Sequence, residues 1–180
     1  DVVEEIYKRG GKISSVSVKE SDEVYGPNSK EALVDLEKRY YLKNARKFLK
    51  NGVIVKSDCL TYISDSVKIG RDSVIYPNTY IYGDTVIGKN CIIGPDVIIE
   101  DSVVKDNSNV KAFSYISESI IRKGASVGPF SHLRPGSDIG ENVKIGNFCE
   151  VKKSNIGRGS KVQHLSYIGD TDMGENVNIG

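Results

Sequence analysis

Two cations and several polar side chains recur at spacings that bring them together. Arg134 and Lys152 lie 18 residues apart, and His132, Glu150 and Tyr167 follow each other at 18 and 17. In a chain that winds with that period, such residues stack one above the other. An arginine held beside a lysine repels it, and an anion between them relieves the repulsion. A planar guanidinium next to a point-charge ammonium suits a phosphate. Under the same winding, His164 and Asn178 fall at the edge where Arg134, Glu150, Lys152 and Tyr167 gather. Stacked charges on a regular surface also arise from plain solvation, and a histidine in a turn is often structural. The spacing leaves both readings open.

Composition narrows the classes. Lys plus Arg is 25 and Asp plus Glu is 24 in 180 residues, a net charge of +1. That balance argues against nucleic-acid binding through bulk charge, while leaving room for a small basic pocket. No apolar run approaches the roughly 18 residues of a membrane span, so no membrane span is expected. Only two histidines occur, His132 and His164. A three-histidine metal site cannot be built from one copy. Cys59, Cys91 and Cys149 form neither a CxxC pair nor a zinc knuckle. They read as small buried or half-buried fillers, and unpaired thiols suit a reducing, cytoplasmic location. Lys56, Lys68, Lys89, Lys105 and Lys111 read as solvated surface.

The elements that position these residues come from a repeat. Aliphatic residues recur every six positions, with occasional gaps of five: Ile63, Ile69, Ile75, Ile81, Ile87, Ile93, then Ile98, Val104, Val110, Ile116, Ile121, Val127, Leu133, Ile139, Ile145, Val151, Ile156, Val162, Ile168, Met173 and Ile179. Glycine often follows the aliphatic residue, and a small residue such as Ser73, Thr79, Thr85, Cys91 or Ser160 often stands four beyond it. A six-residue period is the signature of a parallel β-helix, each repeat giving one short strand and one turn. Three repeats close one triangular coil, and coils stack about 4.8 Å apart. Leu133, Val151 and Ile168 define a first face, Ile139, Ile156 and Met173 a second, and Ile145, Val162 and Ile179 a third.

Residues 1–51 read differently. Asp1 to Arg9 is expected to be the end of a helix stopped by Gly10-Gly11, and Lys12 to Val18 alternates like a strand. Asp22 to Asn28 is expected to be a loop. A helix then starts with Asn28 or Ser29 as N-cap and carries Leu33, Leu36, Tyr40, Tyr41, Ala45, Phe48 and Leu49 on one face, with Gly52 suited to its end. The expected fold is therefore mainly β: a parallel β-helix over 52–180, preceded over 1–51 by a small α/β remnant and a linking helix. The chain starts without Met and stops inside a repeat, so it reads as a piece of a longer protein.

The stretch 128–180 carries LRPG, IGNFCEVK, HLSYIGD and a closing NVNIG. This combination resembles the bacterial bifunctional N-acetylglucosamine-1-phosphate uridylyltransferase/glucosamine-1-phosphate acetyltransferase family. The resemblance runs over the whole chain, with EVYGPNS at 23–29 matching a loop of the uridylyltransferase domain. It implies a left-handed β-helix, and acetyl transfer from acetyl-CoA to the amine of glucosamine 1-phosphate on the route to UDP-N-acetylglucosamine. His164 then matches the general base, a role suited to an imidazole, which can take up and give back a proton. Arg134, Lys152 and Tyr167 match residues that hold the sugar phosphate, and Glu150 and Asn178 match residues near the sugar and the base. Asn28 matches a ligand of Mg2+ in uridylyl transfer. The resemblance also implies a homotrimer with sites shared between subunits.

There are departures. The glycine-rich nucleotide loop and the aspartate that partners Asn28 on magnesium are absent, so uridylyl transfer is not expected of this chain. The later coils that shape the family's acetyl-CoA site are absent too, so acetyl transfer by this chain alone is also not expected. Gln163 stands where many relatives have a small residue, and Pro27 where many have an aliphatic one. The competing expectation is a non-catalytic β-helix, an oligomerisation or regulatory tail of a sugar-nucleotide pyrophosphorylase. That reading explains 1–51 equally well but not the polar gathering around His164.

Overall fold

A computed structural model of the protein describes residues 2–19 and 24–180. The chain divides into two compact units, Asp1–Glu37 and Lys38–Gly180. In the first, helix α1 (Val2–Lys8) buries no residue and carries the exposed i,i+4 pairs Glu4–Lys8 and Glu5–Arg9. It ends where expected, with the Gly10 and Gly11 amides donating to the Tyr7 and Ile6 carbonyls. The strand expected over Lys12–Val18 does not form; residues 11–18 lie outside regular structure and are exposed. Alternation alone cannot make a strand without a neighbour to accept its hydrogen bonds. Part of the loop expected at Asp22–Asn28, and Glu23 of EVYGPNS, lie outside the described residues, as does Asp1.

Helix α2 (Lys30–Lys50) starts at the expected cap: Ser29 Oγ accepts from the Ala32 amide at 3.1 Å. It ends in a Schellman turn, with Gly52 at φ 86°, its amide on Leu49 O and the Val53 amide on Phe48 O. Ala45, Phe48 and Asn44 are buried, and Asn44 Nδ2 donates to Ile63 O at 2.9 Å. Leu33 and Leu49 of the expected stripe stay exposed. Tyr41 meets Tyr62 edge-on, and Tyr62 stacks on Tyr80 at 4.4 Å, so the last turns of α2 pack on the first coil.

The second unit is the β-helix, left-handed as the resemblance implies. Its strands form three parallel sheets of eight, seven and seven strands. The first face runs from Thr61–Ile63 to Tyr167–Gly169, the second from Lys68–Ile69 to Asp172–Met173, and the third from Ile54–Val55 to Asn178–Ile179. The repeat thus begins at Val55, one strand before Ile63. The aliphatic residues stack inside as one core. Each fully buried isoleucine contributes about 1.5–3 kcal/mol.

One position of the series shifts. Ile98 points outward at 39% exposure, and Ile99 is buried in register with Ile81 and Ile116. The five-residue gap therefore falls between Ile99 and Val104. With two isoleucines in succession, spacing could not say which faced inward; the ladder register does.

The small corner residues tie coils together. Ser73 Oγ donates to Gly88 O and accepts from the Cys91 amide, and Ser160 Oγ does the same with Gly174 O and the Val177 amide. Among the described residues no buried side-chain polar atom lacks a partner. Cys91 and Cys149 are buried as expected, and burial pushes the Cys91 thiol up. Cys59 departs from its reading as a filler: it is exposed on the 3-10 turn Asp58–Leu60.

Candidate active site

The site residues hang on three consecutive coils because the core beneath them fixes the register. On the first face, His132 pairs with Glu150 and Glu150 with Tyr167, so the expected ladder exists. It extends one coil further: Tyr115 pairs with His132 and stacks on its ring at 5.0 Å. Tyr115 was legible as a partner from its 17-residue spacing to His132.

Arg134 and Lys152 each follow a buried residue of that face, Leu133 and Val151, which are direct partners. They are neighbours, but not a bare pair of repelling cations. Arg134 Nη1 donates to Glu150 Oε1 at 2.9 Å, and Lys152 Nζ lies 3.8 Å from Asp170 Oδ2, while Lys153 Nζ lies 3.8 Å from Oδ1 of the same carboxylate. Asp170 was not foreseen; it sits one coil above Lys152, at a corner position with φ 48°. These pairs are half-exposed and contribute little stability. Their effect is orientation. Glu150 holds one edge of the guanidinium and leaves the other N–H donors free for a second acceptor.

His164 ends the third-face strand Lys161–His164 and lies exposed at the corner leading to Tyr167. Asn147 is its neighbour one coil below, a corner residue that the 17-residue spacing could have picked out. Among the described residues the His164 side chain has no hydrogen-bond partner. Its carbonyl accepts from Ser166 Oγ at 2.8 Å, which fixes the turn. Asn178 pairs with Lys161 on the third face, and its Oδ1 accepts from Gln163 Nε2 at 3.4 Å. Asn178 is therefore tied to Gln163, the residue next to His164. Asn28, in the other unit, is exposed just before α2. A single neutral amide oxygen is a poor magnesium site, and the described residues hold no group of three His, Cys, Asp or Glu that could bind a metal ion. The residues present do not fit Mg2+.

The arrangement offers a solvent-accessible imidazole, a carboxylate-oriented arginine and a lysine on adjacent coils. It can bind an anion and move a proton beside it.

The model of the EIF2B subunit epsilon LbH domain matches residues 44–151. Over all 180 residues the chain is 41% identical to the bifunctional protein GlmU of Shouchella clausii and 45% identical to that of a Geobacillus species, covering 39% of each. It is 45% identical over 176 residues to the GlmU of Thermosipho melanesiensis, 98% of this chain and 39% of that protein. The chain thus spans about two fifths of the length of the curated relatives it matches. Among solved structures, an Arabidopsis UDP-N-acetylglucosamine acyltransferase aligns at TM-score 0.47 and 14% identity, over 72% of this chain and 60% of that one. No helix among the described residues is long and apolar enough to cross a membrane.

Proposed function

We propose a function on one premise: the chain belongs to the left-handed β-helix family of the EIF2B subunit epsilon LbH domain. On that scaffold, we infer that the corner at His164 serves acetyl transfer from acetyl-CoA to the amine of glucosamine 1-phosphate, in UDP-N-acetylglucosamine biosynthesis. The observation that supports this most is the stack of Arg134, Glu150 and Lys152 on the coils that carry His164. The motifs that carry the resemblance are the same segments, and the relatives match this chain over its whole length, about two fifths of their own.

The chemistry follows from the side chains. Arg134, Lys152 and Tyr167 hold the sugar phosphate, with Asn178 near the sugar and the base. The amine nitrogen attacks the thioester carbonyl carbon; the N–C bond forms, the C–S bond breaks, and the sulfur leaves as a thiolate that becomes a thiol with the proton His164 has taken from nitrogen. His164 takes the proton released from nitrogen. Glu150 keeps the Arg134 fork turned toward the phosphate. Uridylyl transfer is left out, because Asn28 alone does not make a metal site. We also assign a homotrimer, as the resemblance implies, and a cytoplasmic location, supported by three free thiols.

The second reading is a β-helix tail on a sugar-nucleotide pyrophosphorylase; the family model that matches residues 44–151 describes a β-helix domain alone. The test is thiol release from acetyl-CoA by the natural protein that carries this chain, with glucosamine 1-phosphate as acceptor and unphosphorylated glucosamine as control. Phosphate-dependent turnover that His164→Ala abolishes is the expected result. Turnover absent from a folded protein would favour the tail, and turnover retained by His164→Ala would remove His164 from its role.

A further inference from the structure

Two carboxylates face the cations of the candidate site, and they do so at different distances. Glu150 accepts from Arg134 Nη1 at 2.9 Å, a direct hydrogen bond. Asp170 stands 3.8 Å from Lys152 Nζ through Oδ2 and 3.8 Å from Lys153 Nζ through Oδ1. That is too long for a hydrogen bond, so the Lys152 ammonium keeps its three N–H donors while its charge is offset. The corner that carries Asp170 is built to hold it there. The Asp170 amide donates to Lys152 O at 3.0 Å. Buried Ser154 donates to the same carbonyl at 2.7 Å and accepts from the Thr171 amide at 3.0 Å. Lys153 and Asp170 are neighbours on successive coils, at φ 45° and 48°. An aspartate tolerates that conformation, and a lysine is disfavoured in it.

We propose that Asp170 acts through Lys152 as a positioning residue that sets specificity: it weakens the hold on phosphate, so that the site neither retains its product nor collects free phosphate. The proposal rests on the reading above, in which Arg134 and Lys152 bind the sugar phosphate, and deepens it. Substrate and product of acetyl transfer carry the same phosphate and differ only at the nitrogen. A tighter grip on phosphate binds both alike; it lowers KM without raising kcat, and it slows release. Arg134, Lys152 and Lys153 stand against only Glu150 and Asp170. Without Asp170, two adjacent lysines would attract any small polyvalent anion, because an ammonium is a point charge on a flexible stem. With Asp170 in place, recognition leans on the Arg134 fork, whose planar donors match a phosphoryl group.

The test is a pair of variants, Asp170→Asn and Lys153→Asn, in the natural protein that carries this chain. Asparagine suits the left-handed corner at both positions, so the coil should persist. The readouts are KM and kcat for glucosamine 1-phosphate, and the dissociation constant of inorganic phosphate by calorimetry. Asp170→Asn should lower KM and the phosphate constant roughly three- to tenfold, the effect of one unit charge a few ångströms away in a high dielectric, with kcat no higher. Lys153→Asn leaves the carboxylate to Lys152 alone and should raise both constants. The differences should shrink in roughly 1 M salt, where the screening length is about 3 Å. If Asp170→Asn raises the two constants or leaves them unchanged, Asp170 merely props Lys152 or does not act on the phosphate, and the proposal is overturned. Should that variant lose its β-rich circular dichroism spectrum, Lys153→Asn decides: a phosphate constant that does not rise overturns the proposal. A wild-type protein that binds phosphate but transfers no acetyl group removes the proposed function alone, and the phosphate constants still judge Asp170. A wild-type protein that binds no phosphate overturns both.

Discussion

Two corners of this β-helix share a backbone and differ in what they present. Between the second and third faces, the positive-φ positions are Asp72, Asn90, Asn107, Gly124, Asn142, Gly159 and Asn176. These types suit the turn, and the corner reads as structural throughout. Between the third and first faces, the same conformation carries Phe113, Phe130, Phe148 and Leu165, and His164 stands immediately before the last. A regular scaffold can repeat one turn at every coil and still assign each corner a different task. Where side chains depart from what the turn favours, the reason lies outside the turn.

The largest expected effect separates the corners by chemistry. His164→Ala should lower phosphate-dependent acetyl transfer by roughly 10²–10⁴-fold, while Asn142→Ala on the other corner leaves the rate within about twofold. Equal losses in a thiol-release assay would erase the distinction. Next comes the core that both corners share. Ile116→Ala should destabilise the fold by about 2–5 kcal/mol, measured by urea unfolding. A change below 1 kcal/mol would mean that the stacked core collapses around the missing atoms.

A smaller effect sharpens the anion reading. Arg134→Met should raise the KM for glucosamine 1-phosphate by about ten- to a hundredfold, the range of one charge-assisted hydrogen bond. Unphosphorylated glucosamine should be affected much less, and an equal effect on both acceptors would detach Arg134 from the phosphate. The structural corner should then respond in stability alone: Asn142→Ala should cost about 1–2 kcal/mol, because alanine disfavours the left-handed region. The smallest change lies on the second face, where Asp138 bonds Arg122 through two nitrogens and raises the guanidinium's proton affinity. Asp138→Asn should cost less than about 1 kcal/mol, since the arginine is half in water, and the difference should shrink further in high salt.

Much of the scaffold was legible because the core is a list of aliphatic residues at fixed spacing, and spacing converts directly into register. From that register followed the His132–Glu150–Tyr167 ladder and the adjacency of Arg134 and Lys152, both present. Ile98 failed for a local reason: beside Ile99, two residues satisfied the pattern equally. Lys12–Val18 failed for another, since alternation describes a strand's faces and says nothing about whether a partner exists.

The sequence by itself determined the period, nearly all of the inward set and the coil on which each polar residue sits. These depend on a period, which a chain carries locally. Only the tertiary structure decided the partners. It placed Glu150 on Arg134 and Asp170 on Lys152, set Asn147 beneath His164, and stacked the phenylalanines outward along one edge. Those outcomes depend on side-chain direction and reach across coils, where distances of a few ångströms choose between repulsion and a bond.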